Sequence, residues 1–235
     1  MPANEYPIAV HGRDLLGGSP FPDREYEVKL YDFKRPDKFS WEQIRTFSIM
    51  HEAIARLMTV KLGSIVGQPV EVTVSGVDQL TYVEFLDSVP EHSAFAVLSV
   101  PPLRGSLVIQ VDDSLAHLLV SSACGQRNVA ALPQPGRAFT EIELVIMEAV
   151  VEELLPSIRD GWHHVCPIEP RIAGMENDRK MVMIVPPTEM IIMASLEVTI
   201  GERSAFINIP VPYLTIEEII GRFSAQYWYS QMRTA

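Results

Sequence analysis

Ser40-Trp41-Glu42-Gln43-Ile44-Arg45-Thr46-Phe47-Ser48-Ile49-Met50-His51 opens the stretch whose reading decides the fold. Ser40 is a good helix N-cap, and Gln43, three residues on, completes a capping-box arrangement. Ile44, Phe47, Met50, His51, Ile54, Leu57, Met58 and Leu62 then recur at steps of three and four, which predicts a long amphipathic helix over 40–65. Gly67-Gln68-Pro69 stops it. About a hundred residues later the same opening returns. Phe139-Thr140-Glu141 repeats Phe39-Ser40, and Ile142, Leu144, Val145, Ile146, Val150, Leu154 and Leu155 predict a duplicate helix over 140–162. Pro156 falls inside that pattern and predicts a kink or an early end.

Outward from these two helices the order of elements repeats as well. Val70, Val72 and Val74 alternate with polar residues, as in a half-buried strand, and Leu80 to Val89 reads as a short helix. Ala94–Val100 and Ser106–Val111 predict two strands joined through Pro101-Pro102-Leu103-Arg104-Gly105, followed by a helix over Ser114–Ala123. Asp112 and Asp113 in front of that helix read as N-capping and as favourable charge at the positive end of its dipole. In the second half a strand is expected around Ile168–Ile172, then a hairpin of Ile191–Ile200 and Ser204–Ile209 around Gly201-Glu202, then helical spacing over Leu214–Ile220. Pro69-Val70-Glu71 pairs with Pro167-Ile168-Glu169, and Ser106-Leu107-Val108-Ile109 with Ser204-Ala205-Phe206-Ile207. The pattern predicts a pseudo-two-fold α/β/α sandwich spanning 37–223. Two repeats, about 39–123 and 139–220, share a largely antiparallel central sheet, and the long helices lie outside it. Residues 1–36, rich in Pro, Gly, Asp and Arg, read as a flexible or surface-draped arm, and 224–235 as a short tail.

The composition narrows the chemistry. A formal charge of −11 and a pI near 5.0 disfavour nucleic acid and anionic lipid as partners. Two cysteines are too few for a disulfide framework, so a reducing compartment is the default. No signal peptide is visible, and the most apolar run, Ile191–Leu196, is far short of the roughly 20 residues a membrane helix needs. His163-His164-Val165-Cys166 has metal-ligand residue types, but adjacent histidines point apart and no second pair follows at zinc-site spacing, so no metal is expected. Cys124, at a helix end, reads as a small packing residue. There is no nucleophile elbow, Walker loop or dinucleotide fingerprint, hence no catalytic constellation and no cofactor.

Two resemblances bear on function. A sheet flanked by duplicated helices is similar to the CheC/CheX family of chemotaxis phosphatases. There an acidic residue and an asparagine three residues later orient a water molecule. Here Ala55 follows Glu52, and Val151 follows Glu148, so an enzyme of that kind, acting on phosphorylated CheY, is only the alternative reading. More closely, Tyr31-Asp32-Phe33-Lys34-Arg35-Pro36-Asp37-Lys38-Phe39-Ser40 resembles the entry to the middle domain of the FliM family of flagellar motor switch proteins. The likeness continues through His51-Glu52, Ala55-Arg56-Leu57, Val77-Asp78-Gln79-Leu80-Thr81-Tyr82, Thr140-Glu141-Ile142-Glu143-Leu144 and Val185-Pro186-Pro187.

The FliM resemblance implies a non-enzymatic subunit of the cytoplasmic C-ring, at the basal body on the inner face of the cell membrane. Its implied partners are FliG and neighbouring FliM-type and FliN-type subunits. A family Gly-Gly-x-Gly loop that docks FliG falls on Gly125, Gln126, Arg127 and Asn128, with only the first glycine kept. Arg45, His51, Arg56 and Glu143, on the two long helices, are the expected lateral or partner contacts. The family's N-terminal helix for phosphorylated CheY is reduced here to Arg13-Asp14-Leu15-Leu16, so that partner is a poor expectation. A FliN-like domain is expected to be absent, which fits either part of a longer protein or a shortened paralogue.

Overall fold

In a computed structural model of the chain, residues 38–126 and 136–224 are described, and all belong to the unit Asp37–Ala235. The expected arm, 1–36, and the expected tail, 224–235 apart from its first residue, lie outside the described residues. In chain order the elements are α1 (Trp41–Val66), β1 (Val70–Thr81), α2 (Tyr82–Ser88), β2 (Ala94–Ser99), β3 (Ser106–Val111) and α3 (Asp113–Ala123). They continue with α4 (Glu141–Trp162), β4 (Arg171–Glu176), β5 (Met190–Ile200), β6 (Arg203–Pro212) and α5 (Tyr213–Ile216), which runs into a 3-10 turn at Glu217–Arg222.

Both capping boxes form. The Ser40 hydroxyl accepts from Gln43 N–H while the Gln43 side chain accepts from Ser40 N–H, and Thr140 and Glu143 do the same at α4. Gly67, in the left-handed region at φ 69°, closes α1 by donating to the Gly63 carbonyl. The early end predicted at Pro156 does not occur, and α4 runs on to Trp162. Its last turns bury Ser157, Ile158, Gly161 and Trp162. That burial outweighs the one backbone bond the proline removes. The strand expected around Ile168–Ile172 starts instead at Arg171. Pro167 and Pro170 have no N–H for a ladder, and Glu169 N–H bonds to the Pro101 carbonyl.

The six strands order as β1-β5-β6-β3-β2-β4, with every neighbouring pair antiparallel. Replacing each strand by its duplicate (β1 by β4, β2 by β5, β3 by β6) gives the same order read backwards. A palindrome with an antiparallel central pair, β3 and β6, is generated by a two-fold axis normal to the sheet. Such an axis cannot move an element to the opposite face. The two long helices must therefore share a face, and they do: α1, α3 and α4 pack on one another over Ala96, Leu98, Ile109, Ala194, Leu196 and Ile209. The layers of the sandwich are consequently unequal. The other face is covered only in part, where Tyr82 and Phe85 of α2 meet Val182 over Phe95, Val108 and Ile191. The Tyr82 hydroxyl donates to the Val182 carbonyl at 2.7 Å. The repeats also exchange edge strands, since β1 pairs with β5 and β4 with β2. Neither repeat holds a complete sheet alone.

The long helices approach closely at Gly161. A Cβ there would overlap Cγ1 and Cδ1 of Ile54, a fully buried side chain on α1. Gly161→Ala is expected to lower unfolding free energy by about 1–3 kcal/mol through overpacking. That loss would come despite the roughly 1 kcal/mol an alanine gains in helix propensity. Denaturant titration of Gly161→Ala, Ile54→Ala and the double variant checks this. The double should lose less than the sum of the singles.

Candidate docking site at the end of the third helix

α3 ends in a Schellman motif. Gly125 N–H donates to Ser122 carbonyl at 2.9 Å and Gln126 N–H to Ser121 carbonyl at 3.0 Å, with Gly125 at φ 91°. This explains why a glycine stands at 125: a side chain there strains the backbone. A Cβ at Gly125 would meet nothing within 4 Å, so the strain is conformational rather than steric. Gly125→Ala is expected to cost about 1–2 kcal/mol, read as a lowered unfolding midpoint. Gln126 is exposed beyond the cap, while Arg127 and Asn128 lie outside the described residues.

The chain returns to α3 at its other end. Gly136 N–H donates to Oδ2 of Asp113, the first residue of α3. Oδ1 of the same carboxylate stands 2.7 Å from His117 Nδ1, one turn along, and the His117 ring stacks on Phe139 at 4.1 Å between centroids. Arg137 forms a two-pronged ion pair with Glu143, and this guanidinium is the main reason the Glu143 carboxyl is held at about 2.

The two aspartates therefore do something other than the capping read from the sequence. Asp112 occupies the N-cap position but makes no side-chain cap. Its oxygens accept instead from Phe206 N–H on β6 and from Gln110 Nε2, both at 3.0 Å. Gln110, fully buried, also donates to Ser93, and its carbonyl accepts from Asn208 at 2.6 Å. Gln110 and Asn208 hold matching positions in the two repeats and face each other across the central strand pair. Sequence reasoning missed this network. The available signal was an amide at the same place in two otherwise apolar strands.

The expected contacts on the long helices divide. Arg45 and Arg56 are exposed on α1. Glu143 is occupied by its capping box and by Arg137. His51 is a correction: its side chain is fully buried and no partner could reach it. The ring packs against Phe47 at a 32° tilt, and Nδ1 is 2.9 Å from the Phe47 carbonyl. It belongs to the apolar face of α1, and burial lowers its pKa to about 4.

A groove of about 410 Å³ lies between α1 and β1, lined by Ser48, Glu52, Ala55, Arg56, Thr73 and Ser75 among others. A smaller one of about 150 Å³ lies by α4, at Glu152, Leu155, Pro156 and Arg159. The second groove corrects the register read from the sequence. Counted from the N-caps Ser40 and Thr140, the duplicate of Glu52 and Ala55 is Glu152 and Leu155, and Val151 is buried in the core. Where an asparagine would orient water, both grooves carry a hydrocarbon side chain. His163 and His164 are exposed beyond α4 while Cys166 is buried. Among the described residues no cluster of metal-ligating side chains forms, and no helix is long and apolar enough to cross a membrane.

The family model described as "Flagellar motor switch protein FliM" matches residues 40–228. The chain belongs to the FliM family. It is 42% identical over 207 residues to the FliM of Treponema pallidum (strain Nichols), covering 88% of this chain and 60% of that protein. The FliM of Borreliella burgdorferi is also 42% identical over 207 residues, with 58% of its length covered. The chain thus spans about 60% of the length of these FliM relatives. Among solved structures, the FliM middle domain from H. pylori is 31% identical at a TM-score of 0.71, covering 78% of this chain and 99% of that one. A FliG–FliM complex from H. pylori matches at 31% identity and TM-score 0.73, covering 77% of this chain and 99% of the matched one. In another H. pylori structure FliM is in complex with SpeE.

Proposed function

We propose that this FliM-family chain is a non-enzymatic structural and signalling subunit of the flagellar motor switch. It docks FliG through the segment that leaves α3 at Gly125, Gln126, Arg127 and Asn128, and so takes part in setting rotation direction. The supporting observation is the 31%-identical FliM of H. pylori in complex with FliG, together with a helix end whose last turn is fixed and whose next residue is exposed. Neighbouring FliM-type and FliN-type subunits contact the outer faces of α1 and α4. There Trp41 and Val60 on α1, the helix that carries Arg45 and Arg56, and Ile142 and Val145 on α4 expose large apolar side chains. Its place is the cytoplasmic side of the basal body. Hydrocarbon side chains at 55 and 155 argue against phosphatase chemistry on CheY.

Titration of the purified chain with FliG of the same organism tests this. The unaltered chain is expected to bind, and Gly125→Ala and Gln126→Ala to weaken binding. Phosphorylated CheY should lose its acyl phosphate no faster when the chain is added. Failure of the unaltered chain to bind would contradict the reading, as would binding insensitive to both substitutions.

A further inference from the structure

The six strands are joined by ladders of unequal length. β1 pairs with β5 from Val70 to Thr81, and β5 with β6 from Ile191 to Ile200. β2 and β3 pair along the whole of both strands. The ladder at the centre, between β3 and β6, holds two residue pairs, Gln110 with Asn208 and Val111 with Ile207. Gln110 and Asn208 are also duplicates of each other, so the two-fold axis passes between them. The middle of the sheet is laddered only where the axis crosses it.

The cause lies in β6. Asp112 N–H donates to the Phe206 carbonyl, which fixes 206, 208, 210 and 212 as the alternate residues of β6 turned toward β3. Continued from Gln110 and Asn208, the register sets Val108 opposite Pro210 and Ser106 opposite Pro212. Neither proline has the N–H that its position should donate, and β6 is a central strand, where proline is normally excluded. Phe206 gives its N–H to the Asp112 carboxylate rather than to a carbonyl. Asn208 alone of the four keeps an N–H for β3. The Ser106 carbonyl accepts from the Thr215 hydroxyl at 2.9 Å instead. Side chains make up the join: Asn208 donates to Gln110 at 2.6 Å, and Gln110 to Ser93 and Asp112. These bonds hang on rotatable torsions and follow a small displacement that would break a backbone ladder.

The seam divides the sheet into β1-β5-β6 and β3-β2-β4. Each half holds strands of both repeats and carries one long helix, α1 on β1 and β5, α4 on β4 and β2. The connections that pass from half to half are α2 and the segment 177–189. They are bonded to each other through Tyr82, Val83, Pro187 and Glu189, and cover Val108 two residues from Gln110. Both crossings thus lie close to the axis, where a rotation about it moves them least.

We infer that Gln110 and Asn208 form a pivot, about which the two half-sheets rock as bodies and change the placement of the outer face of α1 relative to that of α4. What such a pivot does in the motor rests on the reading of those faces as contacts to neighbouring subunits; the pivot itself does not.

The test uses the full chain and two substitutions of opposite effect. Pro210→Val restores an N–H opposite Val108 at similar volume, and Gln110→Leu removes the side-chain links. Relaxation dispersion of backbone amides reads motion on the microsecond-to-millisecond scale. In the unaltered chain it is expected at 106–111 and 206–211, and not within the β1–β5 and β2–β3 ladders. Pro210→Val should lower the exchange contribution at the seam at least about threefold, and Gln110→Leu should raise it by a similar factor. The second readout is the distance between spin labels at Val60→Cys on α1 and Ile142→Cys on α4, both exposed, in a Cys124→Ser background. Its distribution should narrow with Pro210→Val and broaden with Gln110→Leu. Labels at Val60→Cys and Glu202→Cys, within one half, should keep the same width in all three proteins. If Gln110→Leu does not fold, Pro210→Val decides alone. Dispersion absent from the seam, or spread evenly through the ladders, would overturn the inference. So would seam dispersion and label widths that Pro210→Val leaves unchanged. Failure of FliG to bind would remove the docking reading and leave the pivot standing.

Discussion

Replacing Trp162 with alanine is expected to remove about 3–5 kcal/mol of stability, a large share of the roughly 5–15 kcal/mol by which domains of this kind are stable. Trp162 is the last residue of α4 and has no exposed surface. Its ring meets Phe47 of α1 edge-on at 6.4 Å and Phe223, just past the 3-10 turn, at 6.0 Å. Three segments distant in sequence therefore converge on one indole. Its Nε1 has no hydrogen-bond partner among the described residues, so truncation loses no polar bond. The loss is burial plus an unfilled space between helices that cannot collapse without sliding past each other. Trp162→Phe should cost much less, because it keeps most of the packing and removes a buried N–H. Denaturant unfolding of the three proteins decides it. A loss below about 1 kcal/mol for alanine would mean that the helix layer is not packed through this residue.

Stability is also expected to fall as the pH drops from about 6.5 to about 4, because of His51. Burial lowers its folded pKa to about 4, and the bond to the Phe47 carbonyl only partly opposes this. In the unfolded chain the imidazole titrates near 6.5. Between these values the unfolded state takes up a proton that the folded state refuses. Unfolding is therefore favoured by about 1.4 kcal/mol per pH unit. The contribution is fully present above pH 6.5 and lost on descent to about pH 4, some 3 kcal/mol in all. Carboxylates titrate in the same range, so the informative quantity is the difference between the unaltered chain and His51→Phe. That difference should slope across this window and be flat above pH 7. A flat difference throughout would show His51 to be solvated.

The parts of this fold that were readable in the sequence are the local ones. A capping box needs four residues, a hairpin a dozen, and both were legible because their partners are close in the chain. The duplication was legible too, since equal caps at Ser40 and Thr140 head similar apolar spacings. The strand order was not. Exchange of β1 and β4 between repeats is a choice among distant pairings, and no local residue declares it. With it went the placement of both long helices on one face, which follows from the axis normal to the sheet. His51 shows a different limit. Its place in the series Ile44, Phe47, Met50, His51, Ile54 already predicted burial, yet its residue type and its family-like setting drew it to the surface. Asp112 and Asp113 show a third. Two acids before a helix are ambiguous until the chain that comes back to them, at Phe206 and Gly136, is in place.

Docking at the end of α3 is tested most directly by where FliG touches this chain. Hydrogen exchange across the whole protein, with and without saturating FliG, reads that footprint in one measurement. Protection is expected at 121–126 and at 136–137, with the groove between α1 and β1 unchanged. Protection confined to that groove, around Ser48 to Arg56 and Thr73 to Gly76, would contradict it.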